Sequence, residues 1–229
     1  MKLVYISSPY NPEISEDIEK NRLEALKACE KAYYHGRLTG ETIVPIIPHV
    51  NFPYLGNQTA NIKADESKLR LLLLSKCDEI WIAGDRISEN MRVEIQAAAQ
   101  MKIPVLSMGI ESKKIQDIAE DLEPMLGEKH CLKNSNNKDY KDQLLILKPS
   151  TLAPWARKPE NQLWIAENGF GVNPNASGRA VYATCLYDGE KSRWNRDDFI
   201  GIANPEGLPE WATDKLSEIH HEDEEEEQQ

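Results

Sequence analysis

Short apolar runs and longer amphipathic stretches alternate through the first half of the chain. Leu3–Ile6 is an apolar run ended by Ser7-Ser8-Pro9, which predicts a buried strand. From Ile14 to Tyr34 the apolar positions Leu23, Leu26, Ala28, Ala32 and Tyr33 follow helical spacing, and Gly36 is expected to close that helix. Ile43–Ile47 predicts a second strand, short or at a sheet edge because Pro45 and Pro48 interrupt it. Helices over Asp65–Lys76, Glu89–Met101 and Glu111–Leu126 then alternate with strands at Glu79–Ala83 and Val105–Met108. Such a βαβα order with short connections predicts an α/β fold, a three-layer parallel sheet with helices on both faces, flavodoxin-like or Rossmann-like.

The pattern breaks at residues 128–142, a polar stretch rich in Asn and Lys that predicts a linker. Beyond it, strand-like runs at Leu144–Leu147, Gln162–Ala166, Ala180–Leu186 and Phe199–Ile202 predict a smaller α+β domain. Trp155, Trp164, Trp194 and Trp211 are expected to fill its core or to face the first domain. The expected division is therefore a domain over residues 1–127, a linker over 128–142, a small domain over 143–219 and an acidic, solvated tail over 220–229.

Charge sharpens that division. The chain has 27 Lys+Arg against 38 Asp+Glu, a net charge of -11, and six of the acids form the run Glu222–Glu227. A net-negative chain is not expected to bind nucleic acid through bulk charge. No apolar run approaches the ~20 residues needed to span a bilayer, and the N-terminus lacks the apolar stretch of a signal peptide. A cytoplasmic protein without a membrane partner is expected. The four cysteines, Cys29, Cys77, Cys131 and Cys185, have no close pair of the kind that forms a zinc or redox motif, so reduced thiols and no metal are expected.

In a doubly wound sheet, ligands bind where the C-terminal ends of the strands hand over to helices. Here those junctions are Ser7-Ser8-Pro9-Tyr10-Asn11, Pro48-His49, Gly84-Asp85-Arg86-Ile87-Ser88 and Ser107-Met108-Gly109. The third opens a helix at Ser88 and places Glu94 in its second turn, a candidate for nucleophilic or acid–base work. The ordinary alternatives are an N-cap role for Ser88, a surface role for Glu94, turn caps at Asp78 and Asp85 and a structural His49.

The segments Val4–Tyr10, Val44–His49, Cys77–Gly84 and Ser88–Glu94, in that order, resemble the nucleoside 2-deoxyribosyltransferase-like superfamily over about residues 1–110, nearest to its members from phages and mobile elements. The resemblance implies that Glu94 attacks the anomeric carbon of a nucleoside or nucleotide, giving a glycosyl-enzyme that water or a second base resolves. A carboxylate suits an oxocarbenium-like transition state. It further implies that Ser88, where nucleoside-specific members have an acid, marks a 5′-monophosphate-like ligand. Ser7, Ser8, Tyr10, His49, Asp85, Asn90 and Met91 would complete the substrate site, with Asp65 or Asp78 as helper acids and no cofactor. Arg86 or Arg92 would add a cation.

Two departures weigh on catalysis. Asn90 and Arg92 stand where the superfamily often has glycines, and Arg70 stands where active members carry the carboxylate that handles the leaving base. The expected function is thus N-glycosidic cleavage or transfer, as hydrolase or transferase. The alternative is an inert binder that sequesters a nucleotide or nucleotide-derived signal. Superfamily members often complete their sites from a neighbouring subunit, so a homo-oligomer is implied. Residues 144–216 resemble an accessory module of mobile elements, in which Arg179, Arg193, Trp194 and Arg196 either contact a phosphate or base or pair with Asp188, Asp197 and Asp198.

Overall fold

A computed structural model describes residues 1–9, 15–48, 60–135, 139–168 and 180–227, and within these the backbone alone of 15–19, 60–65, 168 and 220–227. The chain divides into two units, Met1–Leu122 and Glu123–Gln229. The first is built from β1 (Lys2–Ser7), α1 (Ser15–Thr39), β2 (Ile43–Ile46), α2 (Ala60–Leu74), β3 (Glu79–Ile82), α3 (Glu89–Met101), β4 (Val105–Ser107) and α4 (Ser112–Glu120). Its four strands are all parallel, in the order β2-β1-β3-β4. The parallel α/β sheet expected from the apolar pattern is present.

Alternation along β1 decides which face each side chain meets. Val4 and Ile6 pack with Ala25, Ala28 and Ala32 of α1 and with Trp81 and Ala83. Tyr5 and Ser7 therefore point to the other face, where α3 lies and where both hydrogen-bond one of its side chains. The expected strand at residues 43–47 is an edge strand, with Lys2 N donating to Thr42 O at 2.8 Å just before the β1–β2 register begins.

Two helix ends differ from expectation. Helix α1 continues through Gly36 to Thr39, because Gly36 serves close packing rather than termination: a Cβ there would stand 2.6 Å from Glu41 O and 3.1 Å from the Ile43 side chain. Helix α4 ends at Glu120, not Leu126, since Pro124 disfavours helical backbone at the residue before it and supplies no N–H of its own.

Gly84 closes β3 with φ +105, and an added Cβ would lie 2.7 Å from Pro9 Cδ. The loops leaving β1 and β3 thus touch, in a conformation open to glycine alone. Gly84→Ala is expected to destabilise the first unit by about 1–3 kcal/mol, read as a lower urea midpoint with an unchanged slope.

In the second unit, β5 (Leu144–Leu147), β6 (Leu163–Asn168), β7 (Ala180–Cys185), β8 (Lys191–Asn195) and β9 (Phe199–Ile202) form an antiparallel sheet in the order β8-β7-β6-β5-β9. One face carries Leu145, Leu147, Trp164, Val181 and Phe199, with Tyr140 and Leu152 packed over them. The other carries Ile146 and Leu163 and is covered by Ala212, Trp211, Leu216 and Ile219 of α5 (Glu210–Glu227).

The expected linker is part of this unit. Cys131 bridges to Ala203, Ser135 Oγ accepts from Ile202 N at 3.1 Å, and Tyr140 is buried. Polar composition misled there because these polar groups satisfy backbone. The acidic run also differs from the expected tail, being helical to Glu227. Glutamate is a good helix former, and extending a helix already begun at Glu210 costs little.

Candidate functional site

At the C-terminal ends of β1 and β3, Ile6, Ser7, Ser8, Pro48, Arg70, Asn90 and Glu94 line a narrow cleft that opens to solvent. Order reversal places it there: α1 leaves β1 toward β2 on one face while α2 and α3 lie on the other, so the chain parts between β1 and β3. The enclosed space between these walls is small, so they alone hold no more than part of a nucleotide-sized molecule.

Glu94 is the centre of the site. It is 5% exposed, held by its place on the buried face of α3 beside Met91, Ile95, Ala97 and Ala98. Its Oε1 accepts the Tyr5 hydroxyl at 2.8 Å and its Oε2 accepts the Ser7 hydroxyl at 2.6 Å. Arg70 Nε stands 3.9 Å from Oε1, an ion-pair distance without a hydrogen bond. Both carboxylate oxygens are thereby fixed by β1, and the cation of α2 stands beside them.

Burial raises the Glu94 carboxyl above the ordinary range. Arg70, then the hydrogen bonds from Ser7 and Tyr5, pull it back without overcoming burial, while the charge of Glu66 pushes it up further. Burial, reinforced by Glu94, holds the Tyr5 phenol well above its usual value, so Tyr5 remains a donor. The consequence for stability has a definite sign. A carboxyl with a folded-state pKa above its unfolded value near 4.5 binds its proton more tightly in the folded protein. Stability from this group is therefore full below pH 4.5 and falls as pH rises from there through the folded-state pKa. Unfolding midpoints measured from pH 4 to 8 should show this decline in the wild type and lose it in Glu94→Gln.

The other expected site residues fall into three groups. Ser7, Ser8 and Asn90 are brought to the cleft with Glu94. Ser88, Asp85, Met91 and Asp78 are not among its lining residues. Ser88 caps α3, its Oγ accepting Met91 N at 3.4 Å, which is the ordinary alternative. Asp85 is exposed and pairs with Lys20 at 4.0 Å. Met91 is 1% exposed and belongs to the core. Asp78 precedes β3 and accepts Leu3 N at 2.7 Å, at the opposite end of the sheet from Glu94. Tyr10, His49 and the side chain of Asp65 lie outside the described residues. Arg92 is engaged with Asp121 at 3.6 Å and Glu89 at 4.0 Å.

Three residues of the site carried no such expectation. Tyr5 reads in the sequence as one more apolar strand residue, although β1 alternation pairs it with Ser7. Arg70 stood out only as a departure. Glu66 lies one helical turn before Arg70, a spacing that puts both on one side of α2, and its charge reaches Glu94.

In the arginine-rich segment of the second unit, Arg193 is exposed, whereas two of the residues singled out beside it turn inward. Arg196 is 4% exposed with its guanidinium 3.6 Å over the Tyr140 ring, and Trp194 packs edge-on against Trp164 with centroids 5.1 Å apart. Both serve the interior. Arg179 lies outside the described residues. All four cysteines are free, and burial pushes the thiols of Cys29 and Cys77 up to about 11 and that of Cys185 to about 12. Among the described residues no group of His, Cys, Asp and Glu could hold a metal ion, and no helix is long and apolar enough to cross a membrane.

Comparison with known proteins gives a family match and a structural match. A family described as a domain of unknown function (DUF7768) matches residues 2–108, the stretch from β1 through β4. A solved structure of a 2-deoxyribosyltransferase from the psychrotolerant bacterium Bacillus psychrosaccharolyticus is 22% identical, covers 50% of this chain and 80% of its own, and has a TM-score of 0.34. No curated protein matches the chain.

Proposed function

We propose that the first unit binds a nucleoside or nucleotide at the C-terminal end of its sheet and cleaves or transfers at the N-glycosidic bond, with Glu94 as nucleophile. The observation that carries this reading is a buried carboxylate held at both oxygens by Tyr5 and Ser7 and facing a cleft. Holding a charged group rigidly by fixed hydroxyl donors is the arrangement that lowers the cost of reaction at an electron-poor carbon.

In the proposed step an Oε of Glu94 bonds to the anomeric carbon as the bond from that carbon to the base nitrogen breaks. The base leaves with the electron pair and takes up a proton. Water, or an incoming base, then displaces the carboxylate and restores Glu94. The Tyr5 and Ser7 hydroxyls stabilise the carboxylate before attack and as it is released. Glu66 and Asp65, both on α2, are the proposed proton donors to the base; Asp78 is at the wrong end of the sheet for this task.

A second reading has a specific observation in its favour. Arg70 stands 3.9 Å from Glu94, and a cation there draws on the negative charge that the carboxylate would offer to the sugar. The same cleft would then hold its ligand intact, as a binder of a nucleotide or nucleotide-derived signal. Incubation with a panel of nucleosides and nucleotides, followed by denaturation and chromatography, separates the two. Free base produced by the wild type and absent with Glu94→Gln supports the enzyme. Recovery of intact ligand despite measurable binding overturns it in favour of the binder.

A further inference from the structure

The polar groups of the cleft do not balance. Glu94 has both oxygens occupied by hydroxyl donors. Arg70 is 8% exposed, yet among the described residues its guanidinium makes no hydrogen bond, its Nε is buried without a partner, and its ion-pair contact to Glu94 is too long to be a hydrogen bond. Ser8 is also 8% exposed, and its Oγ is buried without a partner in the same cleft. Asn90, exposed on α3, lines the cleft with them. Glu66, one turn before Arg70, stands beyond ion-pair distance of it.

Buried donors without acceptors are rare because each carries an uncompensated loss of hydration. A guanidinium has five N–H donors and no acceptor, and a serine hydroxyl can donate as well. What is missing among the described residues of this cleft is therefore an acceptor, and the fork of an arginine fits a compact oxyanion with two acceptor atoms. We infer that Arg70 and Ser8 form an anion seat, which takes a phosphate or carboxylate group of the ligand and places it beside Glu94.

Charge does not oppose this. An anion in contact with the guanidinium lies nearer to that cation than to the Glu94 carboxylate, and Coulomb attraction at the shorter distance exceeds repulsion at the longer one. The seat also moves the anion site away from Ser88, whose hydroxyl already caps α3. The ligand class that follows is a nucleotide bearing a phosphate, or a nucleoside whose base bears a carboxylate. Only the remainder of that ligand rests on the reading of the cleft as a nucleoside site.

The test uses the full chain as wild type, Arg70→Met, Arg70→Lys and Ser8→Ala. Thermal unfolding with sodium phosphate or sodium formate, at constant ionic strength, reads the seat without any nucleoside. The wild-type midpoint should rise by a few degrees at about tenfold excess over the apparent Kd, and Arg70→Met should not respond. Calorimetric titration then compares a nucleoside, its 5′-monophosphate and a nucleoside with a carboxylate on the base. One of the two charged ligands should bind the wild type at least about tenfold more tightly than the uncharged one, and which one it is names the source of the anion. Arg70→Met should bring charged and uncharged ligands within about twofold of each other.

Should Arg70→Met lose its cooperative transition, the other variants decide. Arg70→Lys and Ser8→Ala should each weaken the anion by about 3–10-fold. Equal anion response in all variants, or a wild type that prefers the uncharged ligand, overturns the seat. A response to phosphate or formate that depends on Arg70, with no binding of any nucleoside or nucleotide, upholds the seat and overturns the nucleoside reading instead.

Discussion

Glu94→Gln should abolish base release while leaving the protein folded, lowering the rate by at least about 10³-fold. Glutamine has nearly the same shape, and the Tyr5 and Ser7 hydroxyls can rotate to bond its amide, so the cleft keeps its geometry. What disappears is the oxygen able to bond to the anomeric carbon. Losing a nucleophile removes the covalent route altogether, whereas losing a positioning group only weakens it. The measurement is initial rate of base release by chromatography on the best substrate of the panel, alongside circular dichroism to show that the fold survives. A rate within tenfold of wild type would mean that another group reacts, and the assignment to Glu94 would fall. Because the carboxyl is raised by burial, the wild-type rate should also increase as pH rises through that carboxyl's pKa, since only the ionised form attacks. Stability and activity thus run in opposite directions with pH at this residue.

The largest effect on stability is expected in the second unit. Gln162 is fully buried, its Oε1 accepting Leu126 N at 2.7 Å and its Nε2 donating to Leu126 O at 3.1 Å and Leu147 O at 2.7 Å. One side chain therefore satisfies three backbone groups that have no water to turn to, and it fastens the start of the unit to β5. Gln162→Ala leaves all three unpaired and adds a cavity. At about 1–3 kcal/mol for each buried group left unsatisfied, partly relieved by relaxation, the loss should be about 3–5 kcal/mol. Chemical denaturation of the full chain should show one transition moved to lower denaturant. A shift below about 1 kcal/mol would mean that solvent reaches Leu126.

How much of this was legible in the sequence depends on whether the signal was local. The succession from β3 to α3 to β4 was, because apolar runs, Ser88 at the helix start and Pro104 before the strand each speak for their own position. Strand β8 was not legible. Its residues Lys191-Ser-Arg-Trp-Asn195 send a single apolar side chain, Trp194, inward, so a strand paired along β7 looks like a charged loop. Glu94 could be placed from its spacing after β3, but its partners could not. Tyr5 is 89 residues away and Arg70 lies on another helix, and no periodicity within one segment reports such a meeting. Asp78 illustrates the opposite failure. It stands before β3, and in a parallel sheet that alone assigns it to the end away from the ligand, whatever its nearness in sequence to the cleft segments.

Pro45 of β2 has a consequence beyond shortening that strand. Thr42 turns its carbonyl to β1 to receive Lys2 N, so by the two-residue alternation of a strand Val44 and Ile46 also turn their backbone groups inward and Pro45 turns outward. The open side of the sheet therefore presents a pyrrolidine ring where a neighbouring strand would need an N–H. Another chain cannot extend this sheet across β2, so of its two edges β4 is the one left for edge-to-edge pairing.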